Sequence, residues 1–201
     1  MVTRPLMALS VAATLLAACA PVKIPGLASL LPASALPVMR WDTKPEAADW
    51  TTTALAAVAS HDGDLADRVP ADIKTYCPGY ATAPLADRRA FWVGLMSATA
   101  KHESGFNPKA VGGGGRYVGL LQISPRTASL YHCTAATSTA LKDGAANLEC
   151  AVRIFAPHVA ADGQVAGRGN LGIARDWGPF HSAAARADIA SWTAAQSYCK
   201  P

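Results

Sequence analysis

The sequence is poor in one kind of acidic residue: it has three glutamates among 201 residues, namely Glu46, Glu103 and Glu149. It contains no internal repeat, and no apolar run after the N-terminal one is long enough to span a membrane. The glycine run at residues 112–115 is not followed by Gly-Lys-Ser/Thr, which excludes a phosphate-binding loop. A formal net charge of +4 suits work near anionic polymers or lipids but is far too weak to indicate nucleic-acid binding.

Residues 1–18 have the pattern of an export signal. Arg4 precedes the apolar run "PLMALSVAATLLAA", which is too short to span a bilayer as a mature helix. The run ends in "LLAAC", which resembles the lipobox of bacterial lipoproteins, where Cys19 would receive the lipid. An ordinary secretory peptide cut near Ala20 is the alternative. We therefore expect a lipid-anchored periplasmic protein, and Ala20 favours the outer membrane by analogy with lipoproteins generally.

The four cysteines that follow Cys19 predict disulfide bonds, because an even number of cysteines in an oxidising compartment usually pairs. Four cysteines allow three pairings, and the sequence alone does not choose among them. The pairing that we expect joins Cys133 to Cys150 across a short loop and ties Cys77 to Cys199 near the C-terminus. A zinc site is the alternative, but no two of these cysteines have the close spacing that is typical of metal ligands.

Residues 19–40 are rich in proline and alanine and are interpreted as a tether, followed by one domain over residues 41–201. The domain is predicted to be mainly α-helical. Pro45 starts one helix, and Ser124 and Asp143 cap two others. The glycine run is predicted to lead into a short extended or β segment.

The helix predicted over residues 85–104 is the informative one. Trp92, Met96 and Thr99 are spaced four and three apart, so they line one stripe of this helix. Glu103 follows four residues after Thr99 and continues the stripe. The carboxyl is therefore expected on the core side of its helix.

Glu103 is predicted to have a raised pKa. Gly105 and Pro108 end the helix, which places Glu103 at the negative end of the helix dipole. Both this dipole and burial against apolar neighbours disfavour the ionised carboxylate. A carboxyl that stays protonated near neutral pH can act as a general acid. The alternative is a glutamate at a helix end that is either solvated or bonded to a local backbone group.

Three stretches resemble the successive motifs of the soluble lytic transglycosylase family: "ESGFNPKAV", "GLLQISPRTA" and "DGAANLECAVRIF". The likeness covers about residues 91–155, with a weaker echo at "ARDWGPF", so the core motifs lie within residues 85–180. The resemblance implies a lysozyme-like α domain, related to the α lobe of goose-type lysozyme, with the short β segment beside the active-site loop.

The family's functional residues carry over by position. Glu103 matches the catalytic glutamate, and Ser104 matches the serine beside it. Gln122 matches a glutamine that contacts the sugar near the scissile bond, and Asn147 matches an asparagine that helps to hold the site together. Trp177 could stack on a sugar ring, with core packing as the alternative. The candidate substrate-binding residues are Ser104, Tyr117, Gln122, Asn147 and Trp177.

The sequence departs from the family pattern in two places. Gly112 stands where the family usually has a serine. The family's late Ala-Tyr-Asn-Ala-Gly segment is "ARDWG" here, so the tyrosine that commonly hydrogen-bonds the catalytic glutamate is missing from its place. Tyr117, Tyr131 and Arg175 are the alternatives for that contact.

The resemblance implies a reaction that needs a single carboxyl group. Glu103 would protonate the oxygen between N-acetylmuramic acid and N-acetylglucosamine, and would then take the proton of the C6 hydroxyl as it closes on C1. No second carboxyl stands out in the sequence, because the other candidates have the settings of caps, exposed faces or loops. These candidates are Asp143, Glu149, Asp162 and Asp176.

We expect peptidoglycan glycan strands as the substrate, and a monomer that meets the membrane through its lipid anchor. We expect no nucleic-acid partner, no cofactor and no metal ion. Two other functions are compatible with the sequence. One is a lysozyme-like hydrolase in which a recruited aspartate activates water, and the other is a non-catalytic wall-binding lipoprotein.

Overall fold

The computed structural model describes residues 36–201 of the chain. The predicted export signal, Cys19 and most of the interpreted tether lie outside the described residues. Between Leu36 and Pro201 the chain forms six α-helices and one two-stranded antiparallel sheet. The helices are α1 (Ala47–Ala59), α2 (Ile73–Tyr76), α3 (Leu85–Glu103), α4 (Pro125–Leu130), α5 (Gly144–Asp162) and α6 (Ala183–Ala195), and the strands are β1 (Val111–Gly112) and β2 (Tyr117–Val118). Over this described range, no helix combines the length and apolarity needed to cross a membrane.

Helix α3 runs through the centre of the domain. Residues Ala90–Ala100 are buried without a break, because α1, α6 and the C-terminal turn all contact this helix. The predicted stripe of Trp92, Met96 and Thr99 is buried, but burial is not limited to that face. Trp92 Nε1 donates to the Tyr80 hydroxyl at 2.9 Å, so the polar atom of this buried ring is satisfied. The packing makes α3 a firm support for the residues at its C-terminal end.

Helices α4 and α5 begin at the side-chain caps that the sequence predicts. Ser124 Oγ accepts from the Thr127 N–H at 3.0 Å, and Asp143 Oδ1 accepts from the Ala146 N–H at 2.9 Å. Helix α5 packs along α1 and ends at Gly163, which has the left-handed φ of 63°. The cap predictions are confirmed.

Strands β1 and β2 form a small hairpin after α3. Val111 pairs with Val118, and Gly112 pairs with Tyr117. The connecting glycines, residues 113–115, all have positive φ values of 58°, 69° and 96°, which residues with a β-carbon rarely adopt. The predicted short extended segment is confirmed, in the form of two strands of two residues each.

Both disulfide bonds have the expected pairing. Cys133 bonds Cys150 and thereby fixes the chain after α4 to α5. Cys77 bonds Cys199 and ties the C-terminal turn to the chain after α2. Because all four sulfur atoms are in disulfides, the zinc alternative is excluded. Met39, at the end of the interpreted tether, is 2% exposed and belongs to the hydrophobic core.

Candidate active site

One cavity collects side chains from distant parts of the chain. Its volume is about 660 Å³, which lies in the range typical of small-molecule sites. The end of α3, the hairpin, the chain before α6 and the start of α6 all contribute. The lining residues are His102, Glu103, Gly113, Tyr117, Gln122, Asp176, Gly178, Pro179 and Ala185. Across residues 36–201, no three His, Cys, Asp or Glu side chains are grouped so that they could hold a metal ion.

Glu103 is the last residue of α3 and lines this cavity. Its side chain is half-buried, and no other group within residues 36–201 hydrogen-bonds its carboxyl. Burial raises the pKa of Glu103 from 4.5 to about 7. The prediction of a raised pKa is therefore confirmed, with burial as the cause. Near neutral pH, Glu103 therefore has ready access to both its protonated and its ionised form.

The chain turns abruptly after Glu103. Ser104 Oγ donates to the Ala100 carbonyl at 3.3 Å, and Gly105 and Phe106 follow with φ values of 59° and 65°. A left-handed φ is strained for phenylalanine and occurs where the surrounding structure imposes it. Ser104 is a helix-end residue and is not among the residues that line the cavity.

Gln122 is held in one orientation by backbone groups. Its Nε2 donates to the carbonyl oxygens of Gly119 at 2.9 Å and Ala110 at 3.3 Å. Because both amide hydrogens are used, Gln122 offers its Oε1 as an acceptor. A β-carbon on Gly112 would lie 2.4 Å from this oxygen. Glycine in place of the family's serine therefore leaves room for this orientation of Gln122.

Asn147 lies behind the cavity wall and is fully buried. Its Oδ1 accepts from the Leu121 N–H at 2.9 Å, and its Nδ2 donates to the carbonyl oxygens of Val118 and Leu141, each at 3.0 Å. These contacts tie the chain just before Gln122 to Leu141 and occupy the amide group of Asn147. They suit the expected role of Asn147 in holding the site together, and its assignment as a substrate-binding residue stays a prediction.

Glu103, Gln122 and Asn147 lie in a part of the chain that matches a known protein-family model. Residues 83–171 match the family described as the transglycosylase SLT domain. This segment is similar to a transglycosylase SLT domain. It runs from the start of α3 to beyond the end of α5 and contains Glu103, Gln122 and Asn147. A comparison with curated proteins finds no significant match.

Solved structures resemble the protein beyond the SLT domain itself. The structure titled "Bd0314 DslA wild-type form 2" is 29% identical, with a TM-score of 0.73, and covers 81% of this chain and 98% of that chain. Two other structures of DslA, each with one glutamate changed to glutamine, are 28% and 29% identical with TM-scores of 0.72 and 0.73. These two also cover 81% of this chain and 98% of the other. The expected mainly α, lysozyme-like fold is confirmed.

The two aromatic candidates differ in their position relative to the 660 Å³ cavity that Glu103 lines. Tyr117 is 42% exposed and lines the cavity. Trp177 is 3% exposed, donates from Nε1 to the Leu121 carbonyl at 3.0 Å, and packs edge-on against Phe155. Trp177 is therefore mainly a core residue, and Tyr117 is the better placed of the two to contact a sugar.

Tyr117, Tyr131 and Arg175 are the alternatives for the residue that replaces the family tyrosine beside the catalytic glutamate. Of these three, Tyr117 alone lines the cavity that contains Glu103. The Tyr131 hydroxyl is 2.7 Å from His158 Nε2. Arg175 forms an ion pair with Asp162 at 2.6 Å. Tyr131 and Arg175 are thus engaged elsewhere.

Asp176 is the one of the four candidate second carboxyls that lines this cavity. It lines the same cavity as Glu103, whereas no second carboxyl stands out in the sequence. Its Oδ2 lies 3.2 Å from His158 Nε2. Burial raises the pKa of Asp176, while His158 and Arg175 oppose the rise. The available signal was its place in "ARDWG", where the family has an asparagine.

The end of the helix that carries Glu103 is fixed by Asp188 of α6. His102 Nε2 lies 2.7 Å from Asp188 Oδ2, and Lys101 Nζ lies 3.5 Å from the same oxygen. Arg40 binds both carboxylate oxygens, at 2.6 and 3.0 Å. The hydrogen bond from Arg40 is the main reason that the pKa of Asp188 lies far below its usual range. His102 also lines the cavity, which the sequence did not predict.

Proposed function

We propose that this protein is a peptidoglycan lytic transglycosylase that cleaves the β-1,4 bond between N-acetylmuramic acid and N-acetylglucosamine and leaves a 1,6-anhydromuramic end. The observation that carries the proposal is Glu103, a carboxyl with a pKa of about 7 in the wall of a 660 Å³ cavity. The match to the transglycosylase SLT domain supports the substrate class. The motif around Glu103 supports its role.

The first step requires a proton donor. Protonated Glu103 gives its proton to the bridging oxygen while the bond from that oxygen to C1 of the muramic sugar breaks. Positive charge develops at C1, and the acetamido oxygen of the same sugar can stabilise it. A pKa near 7 supports this role, because an effective general acid has a pKa close to the working pH. Such proton transfer contributes about 10²- to 10⁴-fold in rate.

The second step requires a base at the same position. Glu103, now a carboxylate, takes the proton of the C6 hydroxyl, and the C6 oxygen bonds to C1. Glu103 is thereby returned to its protonated form, and no water is consumed. Gln122 Oε1 supports the positioning of the sugar, because the Gln122 amide hydrogens are already used and the oxygen can accept from a sugar N–H or O–H.

Mass spectrometry of the fragments released from purified peptidoglycan tests the proposal. We expect anhydromuramyl ends from the wild type and their loss in Glu103→Gln. Glu149→Gln is the matched control, because Glu149 lies in the same domain but is 40% exposed and pairs with Arg153 at 3.6 Å. Fragment release by Glu103→Gln at the wild-type rate would contradict the role of Glu103. No release by any of the three proteins would favour the non-catalytic wall-binding alternative.

We also propose that Cys19 carries a lipid and holds the enzyme in the periplasm at the outer membrane. The sequence "LLAAC" followed by Ala20 supports this location. The two disulfides of the described domain suit an oxidising compartment. Labelled palmitate should enter the wild-type protein in the membrane fraction of cells and should be absent from Cys19→Ala. Equal labelling of both proteins would refute the anchor at Cys19.

A further inference from the structure

A second carboxyl, Asp176, stands between two adjoining cavities. It lines the cavity of Glu103, and it also lines a smaller cavity of about 240 Å³. Tyr117 and Gln122 line both cavities as well, so the two spaces meet at these side chains. The wall of the smaller cavity includes the polar side chains of Ser124, Thr127 and Arg175. A polar space of this volume has room for several water molecules beside Asp176.

Asp176 is also backed by a group that can exchange protons. His158 Nε2 lies 3.2 Å from Asp176 Oδ2, and the Tyr131 hydroxyl lies 2.7 Å from the same nitrogen. The side chains of His158 and Asp176 are 23% and 30% exposed; His158 is half-buried, whereas Asp176 is an exposed residue that reaches the cavity. Burial raises the pKa of Asp176, which makes its carboxylate a stronger base than a fully solvated aspartate.

We propose that Asp176 is a second catalytic carboxyl, which activates water and gives the protein a hydrolytic activity beside the transglycosylase reaction. The inference rests on the proposed function, because both reactions share the first step. Protonated Glu103 gives its proton to the bridging oxygen, and the bond from that oxygen to C1 breaks. A water oxygen then bonds to C1 while Asp176 takes one of its protons.

The products of the two reactions differ by one water molecule. Closure by the C6 hydroxyl leaves a non-reducing anhydro end, whereas attack by water leaves a reducing end. After hydrolysis, the proton on Asp176 passes to His158 Nε2 and then to solvent, and Glu103 takes up a proton from solvent. The ratio of the two kinds of end therefore reports whether Asp176 acts on water.

The test compares wild type, Asp176→Asn and a matched control in water enriched in oxygen-18. Immediate borohydride reduction fixes the reducing ends, and mass spectrometry counts labelled reducing ends and anhydro ends separately. Asparagine keeps the size of Asp176 but cannot take a proton, so labelled reducing ends should fall by about tenfold or more while anhydro ends persist. Asp67→Asn is the control, because Asp67 is an exposed loop residue outside both cavities and should leave the ratio unchanged.

Each other outcome decides against the role of Asp176, the transglycosylase function, or both. Anhydro ends alone from the wild type would overturn the role of Asp176 and leave the transglycosylase function intact. Labelled reducing ends alone, lost in Asp176→Asn with circular dichroism unchanged, would refute the transglycosylase and support Asp176. An unchanged ratio in Asp176→Asn, including equal loss of both kinds of end, would overturn the role of Asp176. Absence of fragments from the wild type would overturn both.

Discussion

Removing the carboxyl of Glu103 is expected to stabilise the fold above neutral pH. Burial raises the pKa of Glu103 from 4.5 to about 7. A pKa difference of one corresponds to about 1.4 kcal/mol, so the ionised carboxylate costs the native state about 3 kcal/mol that the protonated form does not. Glutamine is neutral at every pH and has nearly the same shape. Glu103→Gln therefore avoids this cost.

The direction of the pH dependence follows from the two pKa values of Glu103. Below pH 4.5 the folded and unfolded chains both hold the proton, and ionisation costs no stability. Between pH 4.5 and about 7 the unfolded chain releases the proton while the native state keeps it, so the wild-type free energy of unfolding falls as the pH rises. Above pH 7 both states are ionised at Glu103, and the wild-type free energy of unfolding stops falling on account of this group. The stability advantage of Glu103→Gln should grow by about 2–3 kcal/mol between pH 5 and pH 8.

Urea unfolding followed by circular dichroism, without reductant and at several pH values from 5 to 8, measures this effect. The quantity to compare is the difference in free energy of unfolding between Glu103→Gln and wild type, because other titrating groups cancel in it. Glu149→Gln removes a carboxyl that is 40% exposed, and its difference from wild type should stay constant within error. A Glu103→Gln difference that is flat or shrinks with rising pH would refute the claim that burial controls this carboxyl.

Three further outcomes are expected. The initial rate of anhydro-end release should fall by about tenfold per pH unit above 7, as Glu103 loses its proton, and a flat profile from pH 6 to pH 9 would count against Glu103 as the acid. Gly112→Ala should lower the same rate by about 10²-fold, because the added β-carbon displaces Gln122. Gly63→Ala is the control and should not change the rate, since a β-carbon there meets open space. Equal rates for the two variants would contradict the claim that Gly112 makes room for Gln122. The disulfide Cys77–Cys199 spans 122 residues and the disulfide Cys133–Cys150 spans 17. Replacing the first pair by serine should lower the free energy of unfolding in urea by about 2 kcal/mol more than replacing the second, because the longer loop loses more chain entropy when it is closed. The reverse order would refute this chain-entropy argument.

The features that the sequence predicts correctly have local causes. Ser124 and Asp143 cap their helices through hydrogen bonds to residues three positions away. The end of α3 at Glu103 follows from Gly105, which takes a left-handed φ of 59°. The side that Glu103 faces follows from the helical spacing of the residues before it. Signals of this kind are complete within a few residues, so they can be interpreted without the fold.

The features that the sequence misses depend on contacts between distant segments. Asp176 belongs to the site because its segment packs beside the end of α3 and because His158 of α5 lies 3.2 Å away. Asn147 is hidden because residues 118–121 fold over it, which the spacing on α5 does not reveal. Helix α6, which carries Asp188, has many alanines, and small side chains give a weak periodic pattern.

The position of Glu103 is fixed without any hydrogen bond that would favour its ionised form. Asp188 holds the two residues before Glu103 and also binds Arg40, so the last turn of α3 is secured from α6 and from the first described residues. Within residues 36–201, the carboxyl itself makes no hydrogen bond, and burial alone controls its pKa. A carboxyl held through its backbone keeps both protonation states close in free energy near pH 7. That balance is what a single group needs in order to give a proton in one step and to take one back in the next.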